Sequence, residues 1–237
     1  WFADLDIWDG LTARASINYQ NYFYDGKTYS QHLDGYSFRT GIISNPGATL
    51  AAATTSRTAN RNEQYTATTM VNYNKIFGKD HEVGAMLGYE QFYYNTSGFN
   101  ATRQGLLSFD VTDITTGSTM YEIAGNTEQD YAMVSFFGRI NYAYKSRYLL
   151  EANFRRDGSS RFSSENRWGT FPSFSAGWRI NEEAFFEPLK DYVNNLKLRA
   201  SYGMLGNTTS GYYDWQAVYG KVNYAFNNAV YNGMAVS

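Results

Sequence analysis

Charged side chains crowd one short stretch. Arg155, Arg156, Asp157, Arg161, Glu165 and Arg167 lie among Gly158, Ser159 and Ser160. A guanidinium is a planar fork that pairs bidentately with carboxylate or phosphate. Such a segment can touch a ligand, a partner protein or a lipid phosphate. It can also close on itself as an Arg–Asp/Glu network that stiffens a loop, each solvated pair contributing about 0–1 kcal/mol. The second reading is preferred, with Asp157-Gly158 forming a tight turn. Nearby rings, Trp168, Tyr212, Tyr213 and Trp215, have the shape to stack on sugars. Rings in loops more often pack the loop onto itself.

Catalytic chemistry finds little material. Cysteine is absent and histidine is limited to His32 and His81. That removes thiolate nucleophiles, disulfides, zinc–thiolate sites and iron–sulfur clusters, and argues against a Ser-His-Asp triad. The run from Asp4 to Gly10 weakly resembles a calcium loop, but its spacing is off and no Glu closes it. No phosphate-cradling glycine motif is present. The adjacent Glu182 and Glu183 suit a capped turn better than paired acid–base work. The reading is therefore no enzyme, no metal and no cofactor. A net charge of -2, from 20 basic and 22 acidic residues, gives no drive toward nucleic acid.

The elements carrying these residues read as strands. The sequence has 237 residues, 18% of them aromatic, with 22 Tyr and only 3 Pro. No apolar run reaches the roughly 18 residues of a membrane helix. Instead the hydrophobic period is two. Ala3, Leu5 and Ile7 alternate with Asp4 and Asp6 before Asp9-Gly10, a hairpin dipeptide whose central residues favour positive φ. Similar alternation covers 11–20, 64–74, 82–94, 130–144, 148–156, 173–180 and 196–204. Across 130–144, Phe136, Ile140 and Tyr142 oppose Arg139 and Asn141, although Met133 and Phe137 share the polar side. That gives about eight strands, several near the roughly 9–11 residues that cross a bilayer when tilted. A short helical turn, capped by Asn181, is expected over 181–193.

The connections alternate in length. Short ones at 9–10, 76–80 and 145–147 are interleaved with long ones at 23–61, 95–128 and 157–170, and the chain beyond Gly206 reads as loop. Short turns on one side and long loops on the other are the pattern of outer-membrane barrels. Aromatics fall near both ends: Tyr73, Phe77, Tyr142, Tyr144, Tyr148 and Trp178 by the short turns, and Tyr19, Tyr22, Tyr24, Phe92, Tyr93 and Tyr94 by the long loops. Two interfacial girdles would produce this. The fold class expected is all-β, an antiparallel segment of a larger transmembrane barrel cut at both ends. Inward faces would carry Arg139, Glu151, Asn153, Arg155, Arg179, Lys197 and Arg199 as lumen-facing candidates.

The block from Tyr148 to Phe186 closely resembles the SusC/RagA family of TonB-dependent outer-membrane transporters. It carries Arg155-Arg156-Asp157-Gly158-Ser159-Ser160-Arg161-Phe162, Asn166-Arg167-Trp168-Gly169, Phe171-Pro172-Ser173, Gly177-Trp178-Arg179 and Glu183. Leu196 to Asn207 resembles the family too. The resemblance implies a barrel of roughly 22 strands, a plug domain outside this chain, a SusD-like surface lipoprotein, the TonB complex and outer-membrane lipids as partners, and an oligosaccharide or peptide cargo. Arg156, Asp157, Gly158, Arg161, Arg167 and Trp168 become its extracellular-loop motif. A passive porin or adhesin barrel is the alternative, and a soluble carbohydrate-binding β-sandwich a more distant one.

Overall fold

The computed structural model describes residues 1–47, 49–208, 210–217, 219–226 and 229–236. Its strands are β1 (Phe2–Trp8), β2 (Leu11–Tyr29), β3 (Gly35–Tyr36), β4 (Ile43–Asn45), β5 (Thr54–Phe77), β6 (His81–Leu106), β7 (Gly117–Tyr144), β8 (Tyr148–Ser159), β9 (Trp168–Arg179), β10 (Lys197–Gly203), β11 (Tyr219–Phe226) and β12 (Ala229–Val236). Eight of them form one antiparallel sheet in the order β1-β2-β5-β6-β7-β8-β9-β10, while β3–β4 and β11–β12 are separate hairpins. The expected number of sheet strands is therefore found.

Strand length is where the expectation fails. β2, β5, β6 and β7 run for 19, 24, 26 and 28 residues. Most of 23–61 and 95–128, expected as loop, is strand. The connections shrink to 30–53, which holds the β3–β4 hairpin, and 107–116. Polar residues on both faces, as in Thr54–Asn62, erase the alternation that marks a half-buried strand. The chain past Gly206, also expected as loop, folds back as β11–β12, with Tyr224 opposite Tyr231 and their rings 5.9 Å apart.

The chain divides into two compact units: Trp1–Asn18, Tyr65–Tyr93 and Tyr131–Ser237 form the first, and Tyr19–Gln64 and Tyr94–Asp130 the second. In the first, β7, β8, β9 and β10 are in register, with Ile140 opposite Ala152, Ala152 opposite Phe174, Leu150 opposite Ala176 and Ala176 opposite Ala200. The β1–β2 turn puts Gly10 at φ +82°, and its carbonyl accepts a 2.8 Å bond from the Asn74 N–H. The Asp9-Gly10 expectation of two positive-φ residues is met only by Gly10. The pair with both φ positive is Lys145 and Ser146, in the β-turn closed by the Arg147 N–H on the Tyr144 carbonyl at 2.9 Å.

The helical turn expected over 181–193 forms as 3-10 turns, Ile180–Glu182 and Ala184–Leu189. Asn181 does not cap either one. Its side-chain oxygen accepts from the Leu196 N–H at 3.4 Å, tying the connection to the start of β10. Phe186, 4% exposed, anchors the second turn.

The second unit has its own knot. Ala53 and Thr55 are wholly buried, and the Thr55 hydroxyl donates to the Thr112 carbonyl at 2.8 Å. The Ala53 carbonyl receives the Gly105 N–H at 2.9 Å. Arg103 reaches Glu122 at 2.9 Å. The Asp34 and Asp113 carboxyls are held below the ordinary range, chiefly by backbone N–H bonds from Gly47 and Thr115.

What the sheet lacks is an interior. Among the described residues the buried apolar side chains are Ala53, Leu106 and Phe186. Ile140, Leu150, Phe174 and Leu198 are 53–61% exposed. Apolar surface on this scale requires a non-aqueous neighbour.

Candidate functional site

The registered strands β7–β10 sort their side chains by parity. One face holds Phe136, Ile140, Tyr142, Leu150, Ala152, Phe154, Phe174, Ala176, Leu198 and Ala200. The other holds Arg139, Asn141, Glu151, Asn153, Arg155, Asp157, Ser173, Ser175, Arg179, Lys197, Arg199 and Ser201. All seven residues expected as lumen candidates share this polar face.

Two networks organise it. Arg139 Nε donates to Asn153 Oδ1 at 2.9 Å, and Asn153 Nδ2 donates to Glu151 Oε1 at 2.8 Å. Further along β8, Arg155 is a hub. Its Nε spans both Asp157 oxygens at 2.9 and 3.0 Å, and its Nη2 reaches Ser135 Oγ at 3.0 Å and Glu90 Oε1 at 3.3 Å. Thr68 Oγ1 completes Glu90 from β5 at 3.3 Å. Phe137, one of the apolar exceptions on this face with Met133, Leu149 and Phe171, lies over Gly88, where a Cβ would come within 2.3 Å of its ring, and beneath the Arg155 guanidinium at 5.7 Å. This exception in the alternation is thus a ring packed on a glycine. Sequence reasoning missed Glu90, Ser135 and Thr68 as partners, because they stand on other strands and only register brings them together.

Nearer the short turns, Arg179, Lys197 and Arg199 with Glu82 and Glu151 line a polar depression of about 380 Å³. Lys197 stands directly opposite Arg179. Among the described residues none of these three cations has a carboxylate within ion-pair distance.

The residues expected as one extracellular-loop motif are separated. Arg156, Asp157 and Gly158 lie within β8 and Trp168 opens β9, so the connection is only 160–167. Asp157 belongs to the polar network. Gly158, read as a turn residue, is buried strand under the Trp168 ring, where a Cβ would approach to 2.9 Å. Arg156 stands on the apolar face over Trp168, 5.3 Å from the ring centre. Arg161 lies between Tyr131 and Tyr212, 4.1 and 4.6 Å from their centres, and donates to the Ser210 carbonyl at 3.2 Å. Arg167 lines a cavity of about 450 Å³ with Asp157, Phe162, Asn166, Trp168 and Phe171.

At the other end of β8 and β9, Glu183 gathers a second motif cluster. Its carboxylate accepts from the Tyr148 hydroxyl at 2.7 Å, Trp178 Nε1 at 3.0 Å and Arg147 at 3.1 Å. The Tyr148 hydrogen bond, then that of Trp178, holds this carboxyl below its ordinary range. Of the residues expected as a belt near the short turns, Tyr144, Tyr148 and Trp178 stand in one row that His81 and Phe185 extend: His81–Tyr144 at 5.0 Å, Tyr144–Tyr148 at 6.3 Å, Tyr148–Trp178 at 6.4 Å and Trp178–Phe185 at 6.3 Å. The other aromatic set falls inside the lengthened β2 and β6 rather than at loop mouths.

A two-faced antiparallel sheet, apolar outward and polar on the reverse, with short turns under an aromatic row, defines the wall of a membrane β-barrel. Residues 1–233 match the family model described as TonB dependent receptor-like, beta-barrel, and the chain belongs to that family. TonB-dependent receptor P39 of Formosa agariphila is 40% identical over 154 residues, covering 62% of this chain and 14% of the relative. TonB-dependent receptor SusC of Bacteroides thetaiotaomicron is 38% identical over 141 residues, 60% of this chain and 14% of the relative. The open-open state of the RagAB peptide importer superposes with a TM-score of 0.80 at 23% identity, over 100% of this chain and 24% of that one. The SusC/RagA resemblance is thereby borne out. The chain spans about one seventh of the length of these curated relatives.

Proposed function

We propose that this chain is part of the wall of an energised importer in the Gram-negative outer membrane, its polar face lining the lumen and its apolar face meeting lipid. The observation that carries this is the partition of side chains across four registered strands, with the charged residues between the two ends of β8 confined to one face. The long arms of β5–β7, largely polar on both faces, suit water rather than lipid. RagAB is described as a peptide importer and SusC is a named relative, which supports an oligosaccharide or peptide cargo captured with a SusD-like lipoprotein. Drive comes from the TonB complex through a plug segment outside residues 1–237. The chain's own groups bind and guide solute and catalyse nothing.

The test is uptake of labelled oligosaccharide and peptide libraries by cells with and without the full-length parent protein, in TonB-positive and TonB-negative backgrounds. Uptake that needs both the parent protein and TonB is expected. Parent-dependent uptake that persists without TonB makes the protein a passive pore and overturns the proposal, as does fractionation away from the outer membrane.

A further inference from the structure

Arg155 and Arg156 are adjacent and lead opposite lives. Arg155 is absorbed by Asp157, Glu90 and Ser135 on the polar face. Arg156, exposed, points from the apolar face, opposite Phe136 on β7 and Thr170 on β9. Its contact is the Trp168 ring at 5.3 Å, itself stacked on Phe136 at 6.1 Å, which meets Tyr89 at 5.3 Å. No carboxylate pairs with it among the described residues. From the aromatic row up to Arg156, the apolar face of β8 shows only Tyr148, Leu150, Ala152 and Phe154, and that of β9 only Trp178, Ala176, Phe174, Pro172 and Thr170. Arg156 is the first charge reached.

Depth follows from strand geometry. Tyr148 and Arg156 are eight residues apart on β8. At about 3.4 Å per residue and a tilt of about 35–45°, that is roughly 19–22 Å along the membrane normal. Trp178 and Trp168 are ten residues apart on β9, or roughly 24–28 Å on the same basis. An outer-membrane apolar band is about 25 Å tall. If the Tyr148–Trp178 row marks one interface, Trp168 and Arg156 mark the other. An unpaired guanidinium is tolerated on the lipid side only there, where its charge meets headgroups.

We propose that Arg156, braced by Trp168, is a contact for a phosphate group on an outer-leaflet lipid. The ring takes one face of the guanidinium, and the free edge of its planar fork presents two N–H donors to a phosphate. An intramolecular acid would have quenched this charge, as Asp157 does for Arg155. The residues directly opposite Arg156 are instead Phe136 and Thr170. The inference rests on the outer-membrane reading above.

The experiment uses the full-length parent protein in detergent and native mass spectrometry. The probes are lipid A carrying its glucosamine phosphates and the same lipid after phosphatase treatment. Wild type is expected to retain the phosphorylated lipid about tenfold more than the dephosphorylated one, the loss of one charge-assisted pairing. Arg156→Gln should reduce retention of the phosphorylated lipid to the dephosphorylated level, Arg156→Lys should fall between, and Lys79→Gln, at a short turn, should leave it unchanged. Equal retention of both lipids by wild type overturns the proposal without recourse to any variant, as does Arg156→Gln behaving as wild type. Displacement of the lipid by millimolar inorganic phosphate would make this a free-anion site and defeat the lipid assignment. A wrong outer-membrane reading shows differently, as a parent protein that does not fractionate with the outer membrane.

Discussion

Residues adjacent in sequence acquire unrelated roles once a strand turns them to opposite faces. Arg155 serves three acceptors, whereas Arg156 serves an aromatic ring. The Arg155 hub is the clearest case of a group whose partners decide its worth. Removing it leaves Glu90 and Asp157 as uncompensated carboxylates on one wall. The Arg155 side chain is 40% exposed, so solvent screening trims the cost to about 1–3 kcal/mol. Arg155→Ala in the full-length protein should lower the midpoint of its heat-modifiable transition. Arg155→Lys should recover only part of the loss, because a point-like ammonium cannot span both Asp157 oxygens while reaching Ser135. An unchanged midpoint in Arg155→Ala would show that water alone suffices for the two carboxylates.

At the scale of elements, the short turns are built by different means. The β1–β2 turn relies on Gly10, at φ +82°, with a Cβ position only 2.3 Å from the Asn74 carbonyl oxygen. The β7–β8 turn forces Lys145 and Ser146 to φ 49° and 53° without a glycine. Side-chain-bearing residues in that region cost about 1 kcal/mol or more each. Replacing Lys145-Ser146 with Asn-Gly should therefore stabilise the folded barrel by about 1 kcal/mol. Gly10→Ala should destabilise it by more than that, since neither backbone can yield easily. The check is the denaturant midpoint of the refolded full-length protein. A loss of stability in the Asn-Gly variant would mean that the Lys145–Asp80 contact at 3.9 Å outweighs the backbone relief.

At the scale of the whole molecule, the proposed function gives each face a different solvent. Leu150, Phe136 and Leu198 are assigned to lipid, and Asn153, Arg139 and Arg199 to the lumen. An arginine facing hydrocarbon near the midplane costs about 2–4 kcal/mol, and about 0–1 near an interface. Leu150→Arg and Leu198→Arg should reduce assembly of the parent protein into the outer membrane. Phe136→Arg should do so less, because Phe136 sits beside Trp168 near the outer boundary. Asn153→Arg should assemble normally. Quantifying the heat-modifiable form in outer-membrane fractions decides the matter, and normal assembly of Leu150→Arg and Leu198→Arg with failure of Asn153→Arg would swap the faces.

The sequence by itself determined the period of two over 130–144, 148–156, 173–180 and 196–204, the parity of every lumen candidate, the number of sheet strands and the short turns. These depend only on chain neighbours and on one apolar face, and both are written locally. The family blocks at 148–186 and 196–207 were equally legible. The length of β5, β6 and β7 was not, because a strand wetted on both faces keeps no hydrophobic alternation. Nor was the fate of the arginine motif. A charged Gly/Ser segment reads as loop from its composition. Register puts Glu90 under Arg155 and lays Trp168 over Gly158, and the folding of two connections closes Tyr131 and Tyr212 on Arg161. Those partners are 65, 10, 30 and 51 residues away, and only the tertiary fold brings such distances to contact.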